Sequence, residues 1–67
     1  MKTLTKEELK DFLNDIDTRI KFLKENEIKF VLSIEIEYLS KCYDINVFQG
    51  MVYYEDYING KANNDKL

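Results

Sequence analysis

The chain has 67 residues, with 13 Asp or Glu against 10 Lys or Arg, a net charge of −3, one cysteine and no His, Trp or Pro. That composition excludes an internal disulfide and the ordinary His/Cys zinc sets, and it argues against a general nucleic-acid binder, whose affinity rests on cations neutralising phosphates. A domain of this size buries only about 60% of the surface its unfolded chain exposes, so a homodimer, or docking on another protein, is expected over a solitary monomer.

No apolar run approaches a membrane span, and the start Met1-Lys2-Thr3-Leu4 has no apolar signal core. The expectation is a cytoplasmic protein with a reduced thiol and no membrane contact. Nine Lys against one Arg, with abundant Ile, Asn and Tyr, fits AT-rich coding. It points to a low-GC bacterium, its phage or another mobile element.

Leu9, Phe12, Leu13, Ile16, Ile20 and Leu23 recur at helical spacing and predict a first helix over 6–25. Thr5 and Glu8 form a Thr-x-x-Glu capping box, and Leu4 can staple onto Leu9. The next segment reads two ways. Phe30, Leu32, Ile34, Ile36 and Tyr38 alternate as a strand would, whereas Leu32, Ile36, Leu39 and Tyr43 have helical spacing. The end of the segment favours a helix over 28–43. Asp44 suits the C′ position, Ile45 the hydrophobic contact that follows, and Asn46 the cap of another helix.

A third helix is predicted over 47–59, capped by Asn46 with Gln49 and ended by Asn59-Gly60. Val47, Met51, Tyr54 and Ile58 form its expected core stripe, Phe48 with Val52 a second, and Tyr53 with Tyr57 a third. Gly50 costs about 1 kcal/mol of helix propensity relative to Ala, which suggests that another backbone approaches there. A hairpin through Gln49-Gly50 is the competing reading. The fold expected is therefore an all-α three-helix domain over 1–60 with a flexible tail over 61–67. The alternative is α+β, one N-terminal helix packed on a short antiparallel sheet.

The candidate chemical groups are few. Cys42 has no His to make its thiolate, so a packing role is expected. Asp15 with Asp17, Glu35 with Glu37, and Glu55 with Asp56 are spaced one or two apart. On a helix such neighbours diverge, so they read as solvated charges rather than as a metal or acid–base site. Arg19 is expected to meet Asp15, or to reach Glu35 or Glu37 across a dimer. Neither an enzyme nor a cofactor is indicated.

What stands out is the density of apolar and aromatic surface over 47–58, more than one helix face can hide. The expectation is a non-enzymatic protein-binding module: a small adaptor, regulator or inhibitor acting through this segment. Phe48, Tyr53 and Tyr57 would be its anchors, and Asp44, Glu55 and Asp56 would steer a partner with a basic surface. A dimeric helix-turn-helix-like DNA-binding regulator is the competing class. Against it, no Lys or Arg occurs from Cys42 through Gly60 to hold the phosphate backbone.

Overall fold

The computed structural model describes residues 3–65, and their side chains as far as Gly60. It contains three helices, α1 (Lys6–Glu25), α2 (Leu32–Cys42) and α3 (Val47–Asp65). No strand occurs among the described residues. The domain is all-α, and the sheet-containing alternative is set aside.

The local signals act where their chemistry places them. The Thr5 hydroxyl accepts the Glu8 N–H at 3.2 Å while the Glu8 carboxylate accepts the Thr5 N–H at 3.1 Å, with Leu4 buried beside them. Both α1 and α2 end in a Schellman turn built without glycine. At the first, Glu27 takes φ 55 and its N–H reaches the Lys24 carbonyl, while the Ile28 N–H reaches that of Leu23. At the second, Asp44 takes φ 57, its N–H donates to the Lys41 carbonyl and the Ile45 N–H to that of Ser40, which buries Ile45. The Asn46 side chain then accepts the Phe48 N–H at 2.8 Å and opens α3.

Two predicted boundaries are corrected. α2 begins at Leu32, not at 28, because the chain leaving the first Schellman turn stays non-helical through Val31, which provides no side-chain cap. α3 does not stop at Asn59-Gly60 but runs on to Asp65. Glycine permits a positive φ without imposing one, and Gly60 does not adopt it. The tail expected over 61–67 is thus helical in backbone as far as Asp65, and its last two residues lie outside those described.

The core is made by Leu4, Phe12 and Ile16 from the first helix and its approach, Ile36 and Leu39 from α2, Ile45 from the turn, and Tyr54 from α3. The stripe predicted on α1 is the one buried. On α3 the expected stripe is displaced: Tyr54 is buried and Val47 half-buried, but Met51 and Ile58 face solvent. Gly50 explains the shift. A β-carbon built there would lie 2.0 Å from the Ser40 Oγ, and 3.3 Å from both the Ser40 Cβ and the Phe12 ring. Ser40 itself is fully buried, with no hydrogen-bond partner for its hydroxyl among the described residues. The bare face of α3 at Gly50 is therefore what lets α2 and Phe12 come close.

Three outcomes follow from these geometries. Gly50→Ala should lower stability by roughly 1–3 kcal/mol, overpacking outweighing the propensity gained. Ser40→Ala should be near neutral, because the hydroxyl it removes is buried and unpaired, and it should recover part of the loss in the double variant. Urea midpoints of the four proteins measure this, and a Gly50→Ala protein as stable as the parent would contradict the close approach. At the α1 end, Glu27→Gly should raise stability by about 1 kcal/mol by relieving a left-handed Glu. A lowered thermal midpoint would refute that.

Candidate functional site

The aromatic residues of the C-terminal half divide into two sets, one turned to α1 and one turned outward. Tyr43 packs edge-on against Phe12, ring centroids 5.3 Å apart, and its hydroxyl donates to Asp15 Oδ2 at 2.5 Å. Tyr57 donates to Asp17 Oδ2 at 2.7 Å. Tyr53 meets the Phe12 ring edge-on at 6.4 Å, and Tyr54 lies against Tyr57 at 6.1 Å. Thus Asp15 and Asp17 are not merely solvated. They receive tyrosine hydroxyls from the two ends of the α2–α3 hairpin.

These environments change the acidity of the phenols. Burial first, and then the hydrogen bond to Asp15, pushes Tyr43 from 10.0 up to about 12. The hydrogen bond to Asp17 is the main cause raising Tyr57, and burial is the main cause raising Tyr54.

Arg19 pairs with Glu35 of the same chain rather than with Asp15, and its guanidinium stacks 4.9 Å from the Tyr38 ring centroid. Glu35 is consequently buried between α1 and α2, a correction to the solvated role expected of it. Cys42 is exposed and not a packing residue. Its neighbour along the helix, Lys41, pairs with Glu37 at 3.2 Å. Among the described residues, no group of three or more His, Cys, Asp or Glu is placed to hold a metal. No helix among them is long and apolar enough to cross a membrane.

The expected anchors do not share one face. Phe48 and Tyr57 are nine residues apart, which at roughly 100° per residue sets them on opposite sides of α3. Tyr53 and Tyr57 are half-buried toward α1, whereas Phe48 is 74% exposed. Phe48 is joined instead by Met51 and Ile58, at i+3 and i+10, both of them exposed. Beside this stripe a groove of about 300 Å³ runs between α2 and α3, walled by Leu32 and Ile36 on one side and Met51, Tyr54 and Ile58 on the other.

Of the three acidic residues, Glu55 lines that groove. Asp56 turns away by about 100° around the helix. Asp44 is held in the left-handed turn after α2. Sequence reasoning missed Leu32 and Ile36 as the facing wall and read Met51 and Ile58 as core. The signal that finds them is Gly50. If α2 lies against Gly50, then Tyr54 and Tyr57 point inward and Met51 and Ile58 are carried round to the edge of the contact. A second depression, between α1 and α3, is lined by Lys10, Asp11, Leu13, Asn14 and Tyr57 and is of mixed polarity.

In comparisons with protein families, curated proteins and solved structures, the chain matches none of them.

The raised tyrosines make stability sensitive to alkali. The unfolded chain releases these phenolic protons near pH 10, while the folded chain holds that of Tyr43 to about 12. The contribution of these tyrosines to stability should therefore be level below pH 10 and fall as pH rises from 10 toward 12. Tyr43→Phe should cost roughly 1 kcal/mol at neutral pH through the lost hydrogen bond, and it should flatten part of the alkaline fall. Urea unfolding across that pH range tests both. An unchanged slope in the variant would mean that Tyr43 is not the group responsible.

Proposed function

We propose that this protein is a non-enzymatic protein-binding module, an adaptor, regulator or inhibitor that acts by covering part of another protein in the cytoplasm. The observation that supports this is the exposed run of Phe48, Met51 and Ile58 beside Leu32, bordering an apolar groove. Small domains rarely present large side chains contiguously unless the surface is used. Three carboxylates at the margin of the core are engaged in holding helices together: Asp15 and Asp17 by tyrosines, and Glu35 by Arg19. That leaves apolar contact as the most economical use of the α2–α3 face.

The proposed anchor set moves from the whole of 47–58 to its outward side. Phe48 is retained, Met51, Ile58 and Leu32 join it, and Tyr53 and Tyr57 support the fold behind it. Met suits such a surface because its unbranched side chain adapts to a partner. Glu55 and Asp56, without a cation anywhere on the segment to Gly60, weigh against the helix-turn-helix reading.

Phe48→Ala with Ile58→Ala should leave the helical signal in place and stability nearly unaltered, since both residues are exposed. It should cost at least ~2 kcal/mol of binding to whatever protein the tagged parent captures. Tyr57→Ala should instead destabilise the domain. Circular dichroism and quantitative pull-down separate the two. Capture that survives the Phe48/Ile58 pair would remove the proposed surface.

A further inference from the structure

We infer that the occupant of the α2–α3 groove is an amphipathic helix of a different protein, with Lys or Arg along the flank that meets Glu55. This rests on the protein-binding reading and narrows it to one kind of ligand.

The shape favours a helix. Met51 and Ile58 are seven residues apart, a span of about 10 Å along α3. That is two turns, the distance over which a docked helix presents three apolar side chains at i, i+3 or i+4, and i+7. Leu32 and Ile36 continue the apolar lining on the opposite wall.

Charge selects the flank. Glu55 lines the groove, and α3 offers no cation up to Gly60 with which it could pair along the helix. A partner carboxylate there would be repelled, whereas a Lys or Arg would be attracted and steered. The same residue disfavours a second copy. Antiparallel pairing of two α3 stripes about the midpoint of Phe48 and Ile58 would set the two Glu55 positions roughly 6 Å apart along the axis, both of them negative. Of the other exposed apolar residues, Phe22, Ile28, Val31, Ile34 and Tyr38, the α2 pair Ile34 and Tyr38 is a weaker candidate, since Arg19 already covers one face of the Tyr38 ring.

The test uses the full chain and two synthetic amphipathic helices of about five turns, identical in a Leu stripe at i, i+3, i+4 and i+7. One carries Lys along its flanks and the other Glu. Calorimetry at low salt should show the Lys helix bound roughly five- to tenfold more tightly, with the gap narrowing as salt rises. Glu55→Lys should reverse the preference, and Ile58→Asp should abolish binding of both helices. Equal affinities, no response to Glu55→Lys, or no binding of either helix would overturn the inference.

Sedimentation of the parent distinguishes that failure from failure of the wider reading. A dimer that Ile58→Asp dissociates would mean that a second copy fills the groove, so the inference falls and protein binding stands. If Ile58→Asp changes no peptide binding, self-association or capture, both fall. Should that variant unfold, the swap at exposed Glu55 decides by itself.

Discussion

Where α2 crosses α3, the missing side chain at Gly50 leaves the space that the Ser40 hydroxyl and the edge of Phe12 occupy. This contact fixes the rotation of α3 about its own axis, and the rotation decides which of its many apolar residues are covered. With Gly50 turned to α2, Tyr54 enters the core and Met51 and Ile58 come to the rim beside Leu32. A side chain at position 50 would push the helices apart or turn one of them. The groove is thus a consequence of core packing and not an independent feature of the surface.

A polar framework supports the same arrangement from α1. Asp15 and Asp17 diverge around their helix, and each receives one tyrosine: Tyr43 at the end of α2 and Tyr57 on α3. Arg19 adds a third tie, to buried Glu35. Each of these groups lies at the margin of the core, where a carboxylate can keep some water while a phenol ring covers apolar neighbours. So the chain uses tyrosine both to fill volume and to set the angle between helices. That dual role is why tyrosine density by itself was a poor guide to exposed surface.

The readable parts of the sequence were those governed by local chemistry. The Thr5–Glu8 box, the left-handed Asp44 with Ile45 behind it, and the Asn46 cap depend on side chains a few residues apart, and each forms as expected. The α1 stripe was also legible, because one helix face against one core gives an unambiguous period. A close approach at Gly50 was anticipated, but of another backbone, whereas the groups that come close are the side chains of Ser40 and Phe12. Residues governed by distant partners were harder to read: Glu35 was offered to Arg19 only across a dimer but lies in the same chain sixteen residues away, and Tyr57 found Asp17 forty away. The face of α3 failed for the same reason. Several rotations of that helix bury plausible apolar sets, and contacts with residues far away in sequence, Ser40 and Phe12 at Gly50 and Asp17 at Tyr57, select one.

The most direct test of this account is a nuclear Overhauser spectrum of the isotope-labelled protein. It should show cross-peaks between the Gly50 α-protons and the Ser40 β-protons, together with contacts from the Met51 and Ile58 methyl groups to Leu32. If Gly50 lacks contact with Ser40, and the Met51 and Ile58 methyls instead contact Phe12 and Ile16, then α3 is rotated the other way and the groove described above does not exist.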